Sequence, residues 1–175
     1  MEFSELAKSR YSLRKMDSSK KIDKELLEKI VETARISPSA CNLQRHRLYV
    51  VSEDKPLEKI RQCTPCHFGA PVVIIICIDS DTKGSIMDKD KAAGTKFGLI
   101  DAGIVASHMA LEAADLGIGS TIVGMFDEKK LRAEFDIPQG QTPVLLLPLG
   151  YPEDGAGPCI KHKSRLPIDE TVRWM

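Results

Sequence analysis

The stretch Arg10-Tyr11-Ser12-Leu13-Arg14 sets two guanidiniums four residues apart with a hydroxyl between them. Near the other end of the chain a second basic knot, Lys161-His162-Lys163-Ser164-Arg165, again mixes cations with a hydroxyl. The whole sequence nevertheless balances 25 Lys and Arg against 25 Asp and Glu, a formal net charge of zero. A diffuse polyanion binder, such as a nucleic-acid-binding protein, would carry a surplus of positive charge. Cationic clusters in a neutral chain point instead to one focal anion such as a phosphate, which arginine forks and hydroxyls hold well. Taken singly, residues 10–14 read equally well as a solvated basic turn, and residues 163–165 as a basic patch on a tail.

Three further groups have side chains suited to chemistry. In Ser37-Pro38-Ser39-Ala40-Cys41-Asn42-Leu43-Gln44, Asn42 and Gln44 sit at i and i+2. In an extended segment both amides would face one side and offer donor and acceptor to the edge of a heterocycle. Ser, Pro and Asn also form ordinary turns. Gly117-Ile118-Gly119-Ser120-Thr121-Ile122-Val123-Gly124 has a faint look of a dinucleotide fingerprint, but it follows a helix and enters a strand, the reverse of the required order. Gly124 could admit a ligand close to the backbone or simply make a turn. Asp101 and His108 are seven residues apart on one helical face. They read as hydrogen-bonded structural groups more readily than as a catalytic pair, since no third group orients them.

The five cysteines are an odd number in a chain of 175 residues, which does not need disulfides, so free thiols are expected. Cys63-Thr64-Pro65-Cys66 has the spacing of a redox pair or half a metal site, and His67 completes a haem-attachment spelling. No second CxxC and no preceding strand support either, and incidental thiols at a helix end fit better. Neither a metal site nor a hydrolase or phosphate-loop motif is expected.

These residues need elements to position them. Apolar residues make up 42% and charged residues 29%, the composition of a globular chain, and one domain over residues 1–175 is expected. Phe3, Leu6 and Ala7 suggest a short amphipathic helix. Asp23 reads as the N-cap of a helix with Leu26, Leu27, Ile30, Val31 and Ala34 at helical spacing, ended by Ser37-Pro38. A strand over 47–52 and a helix from Pro56 to about Gln62 follow. Residues 72–78 form a continuous β-branched run, a central strand buried on both faces. Residues 79–96 read as a polar loop or lid. Residues 97–116 form a long helix, apolar on almost every side, which must be covered all round and so is expected to face another subunit. A short strand over 120–123, a helix over 127–135 and a buried strand over 143–149 complete the core. Residues 151–175 lack periodicity, yet Leu166, Ile168, Val172 and Trp174 suit an arm docked on a partner. The order implies an α+β, three-layer plan with helices on a mixed sheet. No continuous apolar run has the length of a membrane span, the longest being 72–78. The first residues are acidic and polar, without a secretory pattern, so a cytoplasmic protein is expected.

Taken together, the order and spacing of these segments resemble the nitroreductase superfamily of FMN-dependent oxidoreductases. The resemblance rests on Arg10, Ser12 and Arg14; on Pro38, Ser39, Asn42 and Gln44; on Asp101-Ala102-Gly103 running to Leu116-Gly117-Ile118-Gly119-Ser120; on Val123-Gly124; on Leu149-Gly150-Tyr151-Pro152; and on Lys163-Ser164-Arg165-Leu166-Pro167. It implies a nitroreductase-like fold with a mostly antiparallel sheet. It also implies a homodimer built on the long helix, with FMN in the interface and a C-terminal arm around the partner. Arg10, Ser12, Lys163 and Arg165 would hold the FMN phosphate, with Tyr11 beside them. Arg14 would sit by the N1/O2 side of the ring and favour its reduced, negatively charged form. Pro38 and Ser39 would come from the other subunit, Asn42 and Gln44 would approach ring or ribityl, and the Gly124 N–H would approach N5, flanked by Ile122 and Val123. The implied activity passes hydride from NADH or NADPH through flavin to a nitroaromatic, quinone or similar flat acceptor by a ping-pong route. The implied alternative is a flavin-binding protein that does not turn over NAD(P)H. Arg45 and His46 depart from the Pro and Trp that follow the loop in many relatives.

Overall fold

A computed structural model describes residues 2–80 and 91–175, the side chains of 91–94 excepted. The described elements run α1 (Phe3–Ser9), α2 (Lys24–Arg35), β1 (His46–Val51), α3 (Asp54–Cys63), β2 (Val72–Asp79), α4 (Lys91–Asp115), β3 (Gly119–Ser120), α5 (Glu128–Glu134), β4 (Gln141–Gly150) and α6 (Ile168–Thr171). The strands form one sheet in the order β1-β2-β4-β3, every neighbouring pair antiparallel. The parallel component of the expected mixed sheet is a bridge, Ser12 to Ser120.

The run that reads as a doubly buried strand does divide two cores. Side chains of an extended strand alternate between faces. Val72, Ile74, Ile76 and Ile78 pack on one side with α2 and α4, against Ile30, Ala34, Val105, Met109 and Leu147. Val73, Ile75 and Cys77 pack on the other with α3, α5 and the chain after α1, against Leu13, Met16, Leu57, Ile60, Leu131 and Leu146. Each fully buried aliphatic side chain contributes about 1.5–3 kcal/mol, so β2 is the spine of both cores. Between Ile76 and Cys77 its partner on β4 steps from Leu145 to Pro143, a bulge placed where proline lacks a ladder donor.

Several boundaries differ from those read in the sequence. Helix α4 opens at Lys91, ahead of the expected 97, because Lys91-Ala92-Ala93 are strong helix formers that carry no apolar period. Residues 81–90 of the expected loop or lid lie outside the described residues. β3 is shorter and earlier than expected: after Ser120 the chain leaves the ladder, and Val123 rejoins it through a bridge to Leu146. β4 extends two residues before Pro143. The tail, which lacks periodicity, still forms a 3-10 turn over Ile160–Lys163 and the short α6. Asp23 occupies its N-cap position without a side-chain capping bond, whereas Asp127 accepts from the Lys130 N–H at the start of α5.

Within the single chain, the sheet covers only one side of α4. Ala102, Val105, Ala106, Met109, Ala110 and Ala113 are buried, while Leu99 and Ile100 remain half exposed. The segment Thr95–Asp115 is long and apolar enough to cross a bilayer by composition alone, with mean hydropathy 1.3. Its inward face nevertheless completes the core on β2 and β4. In the tail, Leu166, Ile168 and Trp174 are exposed.

Candidate functional site

The chain from Arg10 to Arg14 is extended, not a turn. The Leu13 N–H donates to the Ser120 carbonyl at 3.0 Å, the Thr121 hydroxyl donates to the Leu13 carbonyl, and Ser12 bridges Ser120 in parallel. Leu13 is fully buried in the core beneath. With side chains alternating, burying Leu13 turns Ser12 and Arg14 outward, and Arg10 shares that side. The two-residue spacing of arginine, hydroxyl and arginine is therefore that of one strand face. Ile122, two residues past Ser120 and two short of Gly124, is exposed.

The C-terminal basic knot lies across this segment. The His162 ring nitrogen Nε2 meets the Lys8 carbonyl at 3.1 Å, and the Tyr11 and His162 rings meet edge to face with centroids 6.1 Å apart. Lys163 is thereby carried to the same end of the molecule. Arg165 donates to the His162 carbonyl at 2.6 Å and to the Ser164 carbonyl at 2.7 Å. A cleft of about 380 Å³ beside the first segment is lined by Ser12, Arg14, Lys15 and residues 155–159. A second, of about 210 Å³, is lined by residues that include Arg10, Tyr11, Ala114, Gly117 and Ser120. Among the described residues, no ion pair joins Arg10, Arg14, Lys163 or Arg165 to a carboxylate. Other arginines do find acids, as Arg47 finds Asp79 at 2.7 Å and Arg35 finds Glu32 at 2.5 Å.

Cys159 belongs to this cleft and was not singled out by sequence. The Lys161 N–H and the Arg14 guanidinium, with a smaller contribution from the His162 N–H, hold its exposed thiol below the ordinary thiol range. Its signal was present only as a Pro-Cys step before a basic turn, which carries no chemistry until Arg14 arrives from the other end. Cys63 and Cys77 are opposite cases: burial raises both thiols, that of Cys77 to about 12. Between Cys63 and Cys66, the Thr64 hydroxyl donates to the Met125 carbonyl at 2.6 Å and accepts from the Cys66 N–H at 3.0 Å. The CxxC turn thus fastens the residues that follow Gly124.

The loop from Ser37 to Gln44 is not extended, as its amide pair suggested. Ala40–Asn42 makes a 3-10 turn with Cys41, Asn42 and Gln44 at positive φ, 52°, 53° and 48°. The amides of Asn42 and Gln44 still meet, because the left-handed residues fold the chain back: Gln44 Nε2 donates to Asn42 Oδ1 at 3.1 Å. The Ser39 hydroxyl accepts from the Gln44 N–H at 2.9 Å, and the buried Asp101 accepts from the Ala40 N–H at 3.0 Å. Pro38, Asn42 and Gln44 are exposed. His108 does not join Asp101; it lies at the surface, with Nδ1 2.9 Å from the Ile104 carbonyl.

The glycines of residues 117–124 serve different ends. A Cβ on Gly119 would run into the Leu13 side chain, so this glycine is required by packing under the cationic strand. A Cβ on Gly124 would meet nothing within 4 Å, so nothing inside the chain demands a glycine there. Gly124 is exposed, while Val123 is buried. Ala114 lies by Arg10 near the C-terminal end of α4 and Asp101 holds the loop from the middle of the same helix; at 1.5 Å per residue the helix separates them by roughly 20 Å. Within one chain, then, the structure sets Arg10, Tyr11, Ser12 and Arg14 on one extended segment, packs Val123 in the same core as Leu13, and lays His162, the neighbour of Lys163, against Lys8 and Tyr11. It does not bring Pro38, Ser39, Asn42 and Gln44 to them.

A four-stranded antiparallel sheet between two helical layers, with a cationic extended segment at its edge, defines an α+β class with the nitroreductase fold. The nitroreductase family model matches residues 7–65 and 63–151. The chain belongs to that family. A protein of Methanothermobacter thermautotrophicus, provisionally named NADH dehydrogenase/NAD(P)H nitroreductase, is 32% identical over 166 residues, which is 90% of this chain and 81% of the relative. A crystal structure of a nitroreductase family protein from Clostridium difficile superposes with a TM-score of 0.87 at 35% identity, covering 99% of this chain and 98% of that one. A structure from Exiguobacterium sibiricum, provisionally named a nitroreductase and solved in complex with FMN, has a TM-score of 0.84 over 100% of this chain and 98% of that one; at 22% identity the likeness is one of fold. Lys163 and Arg165 lie beyond the residues the family model matches.

Proposed function

We propose that this protein is an FMN-dependent oxidoreductase that oxidises NADH or NADPH and reduces a nitroaromatic, quinone or similar flat acceptor in alternating half-reactions. The observation that carries the reading is the extended Arg10–Arg14 segment, whose cations have no carboxylate partner among the described residues, with the C-terminal basic turn laid against its neighbourhood through His162. Such a set fits a phosphate ester. FMN, when bound, supplies the hydride chemistry at N5. The residues present suit that cofactor. Arg10, Ser12, Lys163 and Arg165, with Tyr11 beside them, hold the phosphate. Arg14, farther along the same strand face, would stabilise negative charge on the reduced ring. Gly124 offers an N–H on a backbone with open space around it, between the exposed Ile122 and Met125.

The same reading makes the protein a homodimer. Pro38, Ser39, Asn42 and Gln44 are roughly 20 Å along α4 from the cations of their own chain, too far to share one ligand's polar head and ring edge with them. A second copy packed on the exposed Leu99 and Ile100 face of α4 brings its loop to the first copy's cations. The arm over 151–175 then covers its apolar side chains on the partner. Support also comes from the FMN complex of a structure with the same fold and from the name of the archaeal relative. The domain is taken as residues 1–175, in the cytoplasm.

The deciding experiment is a visible spectrum of the purified protein, followed by anaerobic addition of NADH or NADPH. A yellow protein bleached by either and re-oxidised by a quinone is expected. A colourless protein that takes up no added FMN refutes the reading; a yellow one that neither nucleotide bleaches is a flavin carrier instead. Arg10→Ala removes a charge-assisted phosphate bond worth roughly 1.5–3 kcal/mol and should weaken FMN about 10- to 150-fold.

A further inference from the structure

We infer that Asp101 is the positioning residue for the amide loop: its carboxyl, delivered by α4, holds the Ala40 N–H and fixes Asn42 and Gln44 in the turn that faces the flavin. The inference rests on the flavin reading and adds to it a residue that touches neither cofactor nor substrate.

The loop needs an anchor. Cys41, Asn42 and Gln44 are all non-glycine residues at positive φ, within four positions of one another. Backbone of this kind persists only where the surroundings over-determine it. Inside the loop, the restraints include the Ser39 hydroxyl on the Gln44 N–H, the Asn42 N–H on the Ser39 carbonyl, the Leu43 N–H on the Ala40 carbonyl, and the contact between the two amides. All of these move with the loop. Among its described bonds, the one to a residue distant in sequence that enters the turn itself is Ala40 N–H to Asp101 Oδ1, 3.0 Å, spanning 61 positions.

Asp101 is also conspicuously placed. It is 4% exposed in a helix face otherwise made of Ala102, Val105 and Ala106, and its second oxygen, Oδ2, is buried without a hydrogen-bond partner. The adjoining His46 likewise buries Nδ1 without a partner, and the charge of Asp101 acts on that ring. A half-satisfied buried carboxyl costs stability that an apolar residue would not. Its presence is explained if it does something for the loop that packing cannot. Asp101 lies on the helix whose exposed face the proposed dimer covers, so the loop is registered to the same element that positions the second copy.

The test uses the full-length protein with and without FMN. Asp101→Leu removes the acceptor; Asp101→Asn keeps an oxygen that can accept from Ala40. Ala40→Pro removes the donor while leaving Asp101 intact, at the first position of a 3-10 turn after an extended Ser39, where proline is tolerated. Hydrogen exchange of the FMN-free protein reads residues 39–44 directly, and flavin titration reads the consequence. Expected are faster exchange across 39–44 and about tenfold weaker FMN in Asp101→Leu and Ala40→Pro, with Asp101→Asn close to wild type in both. Wild-type exchange or wild-type FMN affinity in both disrupting variants overturns the inference. So does an Asp101→Asn variant as impaired as Asp101→Leu, which would make the carboxyl a general stability group. If Asp101→Leu does not fold, Ala40→Pro and Asp101→Asn decide alone. A wild-type protein that binds no FMN defeats the flavin reading while the exchange data still judge the anchor.

Discussion

Replacing Gly119 by alanine should damage the fold and the cofactor site through the same contact. The new methyl would overlap Leu13 Cδ2 and lie 3.0 and 3.1 Å from Leu13 Cβ and Cγ. Leu13 has no room to yield: it is 1% exposed, its N–H is held by Ser120, and its carbonyl is held by Thr121. Overpacking of this kind costs about 1–3 kcal/mol. For a chain of this size each kcal/mol lowers the melting temperature by roughly 2–4 °C, so a fall of roughly 2–12 °C is expected at fixed protein concentration. Relief of the clash displaces Ser12 and Arg14, which flank Leu13, and should weaken FMN by about tenfold, the equivalent of one compromised charge-assisted bond. A double-substitution cycle isolates the cause. Leu13→Ala alone leaves a cavity costing about 2–5 kcal/mol, and the Gly119 methyl has space to enter it. The pair should therefore be clearly less damaging than the sum, with a coupling of at least ~1 kcal/mol by thermal melts. Strict additivity, or a Gly119→Ala protein with unchanged melting and unchanged FMN affinity, would refute the packing account of this glycine.

Gly124→Ala provides the contrast. With nothing inside the chain within 4 Å of the added methyl, the melting temperature of the FMN-free protein should stay within about 1 °C, while FMN binding or its reduction by NAD(P)H falls; a variant with normal flavin behaviour removes Gly124 from the site. Stability should also decline on mild acidification. His46 is held below the usual imidazole value of 6.5 by burial and then by Arg47, partly offset by Asp101. His67 is lowered by burial and then by Arg61, and its Nδ1 accepts from the Gly69 N–H, a bond that protonation breaks. Both rings bind a proton less readily folded than unfolded, so their contribution is present above 6.5 and is lost as pH falls through their folded values. Thermal melts should show the drop below 6.5 and a flatter profile in His46→Gln/His67→Gln; a wild-type protein that gains stability over that window contradicts the assignment.

The sequence shows most plainly those features that depend on local pattern. The β-branched run at β2 names the sheet's central strand because each of its residues is buried whichever way it points. The alternation of Arg10, Ser12 and Arg14 is legible as chemistry, yet its strand geometry is imposed by Leu13 docking under Ser120 and Thr121, more than a hundred positions away. Asn42 and Gln44 were paired for the wrong reason. Spacing of two suggests an extended chain, but three left-handed non-glycine residues among four cannot be read from composition, since their conformation depends on Asp101. The early start of α4 was hidden because alanine and lysine favour helix without marking a face. The arm's short turns escaped because their polar and apolar residues answer to surfaces outside the chain's own core.

What organises the candidate site is the length of α4. A helix of 25 residues runs roughly 38 Å, and its hydrophobic residues exceed what one sheet can bury. Its C-terminal end sits beside the strand that carries the cations; about midway along, Asp101 secures the amide loop. A helix shortened between Asp101 and Ala114 would bring both groups together within one chain but leave less apolar surface for a second copy. The observed length does the reverse: it separates the two halves within a chain and supplies the face on which two chains can meet antiparallel, loop of one against cations of the other. Two equivalent sites then follow from a single twofold contact. On this view the apolar excess of α4 and the distance between the halves of the site are one feature. Substituting Leu99 or Ile100 by a charged residue should therefore cost flavin affinity without touching any residue of the cation cluster.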